Sequence, residues 1–281
     1  MNIILKCPVD SATAPALSRK RPLVLAPFLG QTVLEHALTS LAAEGVKHVC
    51  IEASDRVEEI RNVVGRGEAW GIKIEFSRAA GTQADFSPAR IITLDRLPQL
   101  PQQPLWRSYR DWYAAQQALI PALARQRVGM REAAPGVFVS LRSQVAGDAR
   151  LLGPCWVGAN VFVGPRATVG PGTIIEDGSY IDGGAEVTGS VVGPQTYVGA
   201  FTELRDSFAW GNELLHLDTG SLTEVADRFL LGELQRHPAI KMLLVNIQLW
   251  PTVFFWGNYS ARRDWRADSG MRCDFSAKKR R

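Results

Sequence analysis

Residues 157–175 read VGANVFVGPRATVGPGTII and place an aliphatic side chain at every sixth position. The spacing extends from Val139 to Val187 and, after a single step of five residues, continues from Val192 to Leu204. A small residue stands two positions before most of these aliphatic residues, and glycine directly follows several of them. A fixed period of this kind is typical of a solenoid, in which each repeat is one structural unit.

The repeat also predicts how each unit folds. Because side chains alternate along a strand, the aliphatic residue and the small residue two positions before it point inward, and the residue between them points outward. Glycine after the aliphatic residue permits a corner that a Cβ atom would resist. Three units to a coil give about four coils. The pattern resembles the left-handed parallel β-helix of the hexapeptide-repeat family, and its handedness is implied by that resemblance.

The outward positions form one stripe on each side of the coil. Sides 1 and 2 are apolar or aromatic, whereas side 3 is polar. Side 1 carries Phe138, Trp156, Ile174 and Val191; side 2 carries Gln144, Phe162, Tyr180 and Tyr197; side 3 carries Arg150, Thr168, Glu186 and Glu203. Apolar stripes of this length are usually covered. We expect sides 1 and 2 to pack on flanking segments of the chain or on another subunit of a homo-oligomer, with a carbohydrate platform as the alternative.

Charge and cysteine content exclude several classes of function. The chain has 281 residues and a net charge of +4, but residues 261–281 alone, with eight basic and three acidic side chains, carry +5. The rest is slightly acidic and gives no support for nucleic-acid binding. Four cysteines, Cys7, Cys50, Cys155 and Cys273, show no metal or disulfide spacing. Together with an N-terminus that lacks a secretory signal, this predicts a cytoplasmic protein.

Residues 1–130 alternate predicted strands with predicted helices. The strands are Asn2–Leu5, Val46–Ile51, Gly71–Phe76 and Ala89–Leu94, and the helices are Thr32–Leu41, a segment capped by Ser54, and Trp106–Arg125, where Pro121 is expected to kink or end the helix. Such alternation predicts a parallel sheet with helices on its faces. The predicted fold is therefore a shortened Rossmann-like α/β domain over residues 1–130, a β-helix over 136–215 and a C-terminal segment over 216–281.

The segment from Pro15 to Phe76 resembles the sugar-1-phosphate nucleotidyltransferases, or nucleotide-sugar pyrophosphorylases. The matching runs are RPLVLAPFLG at 21–30, LEH at 34–36, EGV at 44–46 and WGIKIEF at 70–76. Several members of that family carry a C-terminal hexapeptide β-helix, so the order of domains agrees. The resemblance implies a nucleotide-sugar ligand and a role in bacterial cell-surface polysaccharide or lipopolysaccharide synthesis.

The residues with which that family binds phosphate are replaced. Its glycine-rich loop ending in Gly-Thr-Arg reads CPVDSAT at 7–13, where Pro8 even removes an amide donor. Its Pro-Lys pair reads Pro22-Leu23, and leucine cannot stabilise phosphate charge. Lys20 or Arg21 could substitute, but a solvated basic turn is the interpretation we favour. We therefore predict a degenerate site and a binding, regulatory or scaffold role.

An active nucleotidyltransferase is the first alternative. Asp95 follows the strand Ile91–Leu94, as the metal-binding Asp of the family follows its strand, and would hold Mg²⁺ if activity survives. Asp is also a frequent turn starter, and that interpretation is favoured. Only about forty residues separate Asp95 from the β-helix, around half of what the family uses for sugar binding and its second metal ligand.

A hexapeptide acyltransferase is the second alternative. Such enzymes are typically trimers in which a His general base at a subunit groove takes a proton from the acceptor. The chain has four histidines, none within the coils, and only His216 directly follows the last coil. His216 is therefore the candidate base, although no orienting partner is evident and a surface or capping role is favoured.

The C-terminal segment carries two further expectations. The segment Ser221–Leu231 is predicted to form a helix that caps the open end of the solenoid. Residues 239–256 are apolar but interrupted, so they make a poor membrane span. Either they pack on the β-helix, or residues 239–281 lie on a membrane surface with the basic tail toward anionic lipid. The segment loosely resembles the linker in bacterial fusions to a membrane sugar-phosphate transferase, so such a partner, at the inner face of the membrane, is an expectation as well.

Overall fold

The computed structural model describes residues 2–9, 14–77 and 89–234, which belong to one compact unit ending at Leu234. Its N-terminal part holds a parallel sheet of four strands. The elements are β1 (Asn2–Lys6), β2 (Pro27–Phe28), β3 (Gln31–Thr32), α1 (Val33–Ala43), β4 (His48–Glu52), α2 (Val57–Val64), β5 (Lys73–Ser77) and β6 (Ala89–Thr93). The strand order is β5-β4-β1-β6, and β2 and β3 form a separate short hairpin.

The parallel sheet and its helices confirm the predicted alternation. Helix α1 begins with a capping box, in which the Thr32 hydroxyl accepts from the Glu35 amide and the Glu35 carboxylate accepts from the Thr32 amide. Helices α1 and α2 bury their apolar residues, Leu38 and Ile60 among them, against sheet residues such as Ile3 and Val49. A Rossmann-like nucleotidyltransferase domain remains a prediction, because a parallel sheet of this kind occurs in many α/β proteins.

Helix α3 (Tyr109–Gln126) connects the two parts of the unit. It begins at the cap Ser108, whose hydroxyl accepts from the Asp111 amide. Pro121 does not end the helix, which continues through it to Gln126, and its side chain is exposed. The helix ends at Gln126, and strand β7 (Met130–Ala134) then pairs antiparallel with the first strand of the β-helix.

The β-helix has the four coils that the period predicts and, in addition, the beginning of a fifth. Side 1 is built from β8 (Val137–Ser140), β11 (Cys155–Val157), β14 (Thr173–Ile175), β17 (Val191–Val192) and β20 (Ser207–Trp210). Side 2 is built from β9 (Gln144–Val145), β12 (Phe162–Val163), β15 (Tyr180–Ile181) and β18 (Thr196–Val198), and side 3 from β10 (Arg150–Leu151), β13 (Thr168–Val169), β16 (Glu186–Thr188) and β19 (Glu203–Arg205). Within each side these strands pair in parallel, one coil above the next.

The axis of the β-helix is filled by the predicted inward residues. Val157, Val163 and Ile175 are fully buried, with Ala167 and Cys155 in the small positions. The glycines after the aliphatic residues are required mainly because neighbouring atoms lie where a Cβ atom would be. A left-handed backbone is not the common reason, since φ is positive at Gly170 but not at the equivalent Gly199. A Cβ at Gly199 would overlap the Phe229 carbonyl oxygen. The backbone of a neighbouring segment therefore excludes larger residues there.

Side 1 is covered by the chain itself, which confirms self-packing for this stripe. Phe138, Trp156, Ile174 and Val191 join one buried cluster with residues of α3, including Trp112 and Leu119. The rings of Trp112 and Phe208 meet edge to face at a centroid distance of 5.0 Å.

Side 2 carries a half-buried aromatic ladder. The rings of Phe162 and Tyr180 stack at 4.5 Å, and those of Tyr180 and Tyr197 lie 5.7 Å apart. The Tyr197 hydroxyl donates to Asp182 at 2.8 Å. A subunit interface on this side remains a prediction.

The predicted capping helix over Ser221–Leu231 is wrong. Instead, β21 (Glu213–His216) pairs antiparallel with β20, β22 (Leu222–Glu224) pairs with β21, and β23 (Leu231–Glu233) pairs antiparallel with β18. The physical reason is that the last coil exposes unpaired strand edges, which a strand satisfies and a helix does not. The buried side chain of Leu231 closes the axis. The apolar stretch 239–256 and the basic tail lie outside the described residues, and among the described helices none is long and apolar enough to span a membrane.

Candidate functional site

Of the two basic residues proposed for nucleotide binding, Lys20 contacts the β-helix, whereas Arg21 is exposed. The Lys20 ammonium donates to the Trp210 carbonyl oxygen at 2.6 Å and lies 5.6 Å from the centroid of its ring. The guanidinium Nε of the neighbouring Arg19 is 3.1 Å from the Glu213 carboxylate. These contacts tie the loop before Arg21 to the last coil, so Lys20 and Arg19 have a structural role.

Asp95 makes the contacts of a turn residue. It lies just after β6, accepts from the Thr93 hydroxyl at 2.6 Å and is 3.6 Å from the Arg96 guanidinium. Within the described ranges, no group of three His, Cys, Asp or Glu residues could hold a metal ion. Mg²⁺ binding at Asp95, which the nucleotidyltransferase resemblance implies, remains a prediction.

His216 lies in β21, where its Nδ1 accepts from the Thr219 amide at 3.4 Å. The nearby Asp218 is occupied by Arg110, whose Nη2 donates to it at 2.7 Å. This hydrogen bond holds the pKa of Asp218 below its usual value. In the part of the chain that the structure describes, His216 thus has no hydrogen-bonded carboxylate to orient it as a base.

The structure brings together a different set of residues, of which the sequence analysis had proposed only Arg21 for a binding site. A cavity of about 160 Å³ lies between the β2–β3 hairpin and the coil corner that follows β14. We call it the junction pocket. Its lining residues are Arg21, Leu25, Pro27, Gly30, Gln31, Thr32, Glu35, Glu176, Asp177, Pro194 and Trp210.

Glu176 is the buried acidic group of the junction pocket. It is 1 % exposed, and its Oε2 accepts from the Gly30 amide at 2.6 Å. Its Oε1 has no hydrogen-bond partner among the described residues. Burial, and to a smaller extent the charge of Asp177, raise the pKa of the Glu176 carboxyl to about 8, against the opposing effects of the Gly30 and Leu29 amides and the Arg127 guanidinium. The carboxyl group is therefore mostly protonated at neutral pH.

Arg127, just after α3, fixes the geometry around Glu176. One arm of its guanidinium donates to the Leu29 carbonyl oxygen at 2.7 Å, and the other donates to Asp177 at 2.9 Å. The guanidinium lies 5.5 Å from the centroid of the Trp156 ring. The hairpin tip, the coil corner and the end of α3 are therefore held by a single side chain.

The LEH run supports the hairpin from behind. The buried His36 donates from Nε2 to the Phe28 carbonyl oxygen at 2.7 Å, and its ring meets that of Phe28 edge to face. Burial lowers the pKa of His36, which favours the neutral ring with a single proton. That proton on Nε2 is the one that the hydrogen bond to Phe28 requires. Glu35, through the capping box at Thr32, and His36, through Phe28, therefore both stabilise the β2–β3 hairpin. Both residues belong to the LEH run that resembles nucleotidyltransferases.

No distinct signal in the sequence singles out Glu176. Glycine directly follows the inward aliphatic residue in five of the twelve repeats, but other repeats carry a charged residue there, as Glu176 follows Ile175 and Asp182 follows Ile181. The pairing of the Glu176 corner with the hairpin could not be predicted, because the two lie 146 residues apart.

Comparison with known proteins gives one family match. The family model described as "Bacterial transferase hexapeptide (six repeats)" matches residues 154–189, a segment that contains Glu176. No curated protein shows significant sequence similarity to the chain. The match supports the acyltransferase alternative better than the nucleotidyltransferase prediction, and the resemblance of residues 15–76 to nucleotidyltransferases remains a prediction.

A solved structure is also similar. It is a crystal structure of a mutant perosamine N-acetyltransferase from Caulobacter crescentus, in complex with CoA and GDP-perosamine. The alignment has 14% sequence identity and a TM-score of 0.19, and it covers 63% of this chain and 96% of that chain. A similarity at this TM-score carries no argument about function.

Proposed function

We propose that this chain is a hexapeptide-repeat transferase that moves an acyl group onto a small acceptor held in the junction pocket. The observation that carries the proposal is the Glu176 carboxyl, which is buried, bound through one oxygen to Gly30, and without a described partner at the other. Acyl transfer needs a group that accepts a proton from the acceptor, and such a group works best when its pKa is near the working pH.

The place of Glu176 on the β-helix supports this role. Hexapeptide acyltransferases typically react at a groove between two subunits, where a coil meets a neighbouring surface. Here the β2–β3 hairpin of the same chain supplies that neighbouring surface, and the matched repeats supply the corner. Glu176 lies where the two meet, held by Gly30 and next to the Asp177–Arg127 ion pair.

His216 is the competing base, and its surroundings favour it less. A catalytic histidine usually has an orienting partner on its second nitrogen. His216 accepts a long hydrogen bond from the Thr219 amide, and Asp218 is engaged with Arg110.

A scaffold without catalysis is the second candidate function. The contacts of Lys20 with Trp210 and of Arg19 with Glu213 favour it, because they make an internal interface of the loop where the nucleotidyltransferase resemblance would place phosphate contacts. In both proposals the setting is a bacterial nucleotide-sugar pathway for cell-surface polysaccharide, with a homo-oligomer and a membrane sugar-phosphate transferase as proposed partners.

The test is release of the CoA thiol from acetyl-CoA by the purified chain, with amine and hydroxyl acceptors. We expect Glu176→Gln to lower the transfer rate about 10²- to 10⁴-fold, the usual contribution of general acid–base catalysis. Glutamine keeps the size of the side chain and an oxygen for the Gly30 amide, so the fold is retained. Glu186→Gln, at an exposed glutamate on side 3, is the matched control and should leave the rate unchanged.

Two results would contradict the proposal. Loss of transfer in His216→Ala with full activity in Glu176→Gln would show that the base is His216, in β21. Absence of thiol release with every acceptor, in a folded protein, would leave the scaffold as the better account.

A further inference from the structure

We propose that Glu176 is a pH-sensitive latch between the β2–β3 hairpin and the β-helix. In its protonated form the side chain holds the hairpin tip, Leu29 and Gly30, against the coil corner. Loss of the proton frees the tip and lets water reach the carboxylate. The latch is argued from the contacts of Glu176 and does not depend on acyl transfer, whereas its consequence for catalysis rests on the proposed function.

In the closed state the hairpin tip seals the Glu176 carboxyl from solvent. The residue is 1 % exposed, and the exposed area of its Oε1 is below 1 Å². Part of the cover is Gly30, whose amide donates to Oε2 at 2.6 Å. Water and any larger group therefore reach Oε1 only when this cover moves. Solvation of the ionised carboxyl and movement of the tip are consequently coupled.

A negative charge on Glu176 is unfavourable in the closed state. The Gly30 amide donates only to Oε2, and Oε1 has no donor among the described residues, so a buried carboxylate would lack part of its solvation. The adjacent Asp177 adds repulsion between like charges. The pKa of Glu176, raised to about 8, agrees with this geometry.

The other charged groups around Glu176 do not remove this cost. The Arg127 guanidinium is already engaged, with one arm on the Leu29 carbonyl oxygen at 2.7 Å and the other on Asp177 at 2.9 Å. His36, behind the hairpin, has a lowered pKa and stays neutral as the pH rises. The remaining charged side chains that line the junction pocket are Glu35 and the exposed Arg21.

The backbone of the hairpin tip is strained, which favours release. The φ angle is +51° at Leu29 and +78° at Gly30, and a left-handed backbone is unfavourable for a residue with a side chain. Strands β2 and β3 pair only with each other. The tip is therefore held by the packing of Leu29 and by hydrogen bonds from Glu176 and Arg127. Weakening one of these bonds favours a local movement of the tip.

The direction of the pH effect follows from the two states of the latch. The pKa of Glu176 is about 8 in the closed state, whereas a carboxyl in water has the ordinary value of about 4.3. The closed state thus binds the proton more tightly. Opening should become up to about tenfold more favourable per pH unit between these two values and level off above about 8. In the proposed transferase, Glu176 would gain its charge and its access to the pocket in the same step.

The test is amide hydrogen exchange of the full chain, followed by NMR over a range of pH and expressed as protection factors, which divide out the intrinsic effect of hydroxide. We expect protection of Gly30 to fall more than about tenfold between about pH 5.5 and 7.5 and to level off above about 8. Gly30 should also be less protected than the buried Leu38 in α1 and Val163 in β12. Low urea should leave Gly30 unchanged, because local opening exposes little surface.

Two variants separate the latch from other causes of pH dependence. Glu176→Gln cannot ionise and keeps an oxygen for the Gly30 amide, so protection of Gly30 should become independent of pH. Asp182→Asn is the matched control, because Asp182 also directly follows an inward isoleucine. It should retain the pH dependence of the original chain.

The latch is overturned if protection of Gly30 does not change with pH, or if Glu176→Gln retains the change. It is also overturned if Gly30 and Val163 are equally protected and equally sensitive to urea, since exchange would then require unfolding of the whole unit. These outcomes are separable from failure of the proposed reaction. Opening that depends on Glu176 without acyl transfer would keep the latch and reject the transferase. Transfer that depends on Glu176 with constant protection of Gly30 would do the reverse.

Discussion

At the scale of single residues, the contacts of Arg127 explain why the tip of the β2–β3 hairpin carries glycine. Gly30 has a φ of +78°, and a Cβ there would overlap Arg127 Nη1. Any larger residue must therefore accept a left-handed backbone and also displace the guanidinium from Leu29 and Asp177. Gly45 has nearly the same φ, +79°, with open space where a Cβ would lie.

Gly30→Ala should consequently destabilise the chain more than Gly45→Ala. Both pay the left-handed strain of about 1–2 kcal/mol, but only Gly30→Ala also loses the Arg127 contacts. Urea unfolding of the two variants measures the difference, which we expect to be about 1 kcal/mol or more, the worth of a charged hydrogen bond. In an Arg127→Gln background the difference should shrink toward zero. Equal destabilisation in the original background would show that Arg127 does not hold the hairpin.

At the scale of elements, helix α3 is what makes side 1 an internal surface. Trp112 is fully buried in the cluster that contains Phe138, Trp156 and Ile174. Phe138, Trp156 and Ile174 point outward from the coil, so without α3 they would leave a continuous apolar stripe in water. Such exposure is unfavourable in proportion to the apolar area.

Trp112→Ala should therefore destabilise the chain by about 3–5 kcal/mol, as large-to-small substitutions in a core do. Phe229→Ala is the matched control, because that aromatic side chain is 78% exposed, and its cost should stay within about 0.5 kcal/mol. Chemical unfolding measures both. A small loss of stability for Trp112→Ala would mean that α3 contributes little to the cover of side 1.

The elements also show how far sequence reasoning reaches. The coils are predictable because each six-residue unit fixes its own inward and outward positions, as Val163 and Phe162 do. The β23 strand was not predictable, since Leu231 becomes a strand residue only through pairing with Val198 at the edge of side 2. The junction pocket was missed for the same reason. It depends on contacts between Gly30, Arg127 and Glu176, which no local pattern brings together.

At the scale of the whole molecule, the two parts of the described unit meet through a buried cluster and the contacts of Lys20, Arg110 and Arg127. Arg110 bridges α3 to Asp206 and Asp218 beyond the fourth coil. These contacts use charged side chains to fix the α/β part on the β-helix. The proposed chemistry lies where the parts meet, at Glu176, and not at Asp95 or His216.

The most direct test of that claim is the pH dependence of acyl transfer, measured as the ratio of kcat/KM for the original chain to that for Glu176→Gln. The acceptor ionises alike in both measurements, so the ratio isolates Glu176. Because burial raises the pKa of this carboxyl to about 8, and a base acts only when deprotonated, the ratio should rise with pH and level off above about 8. A ratio that is independent of pH would contradict a catalytic role for Glu176.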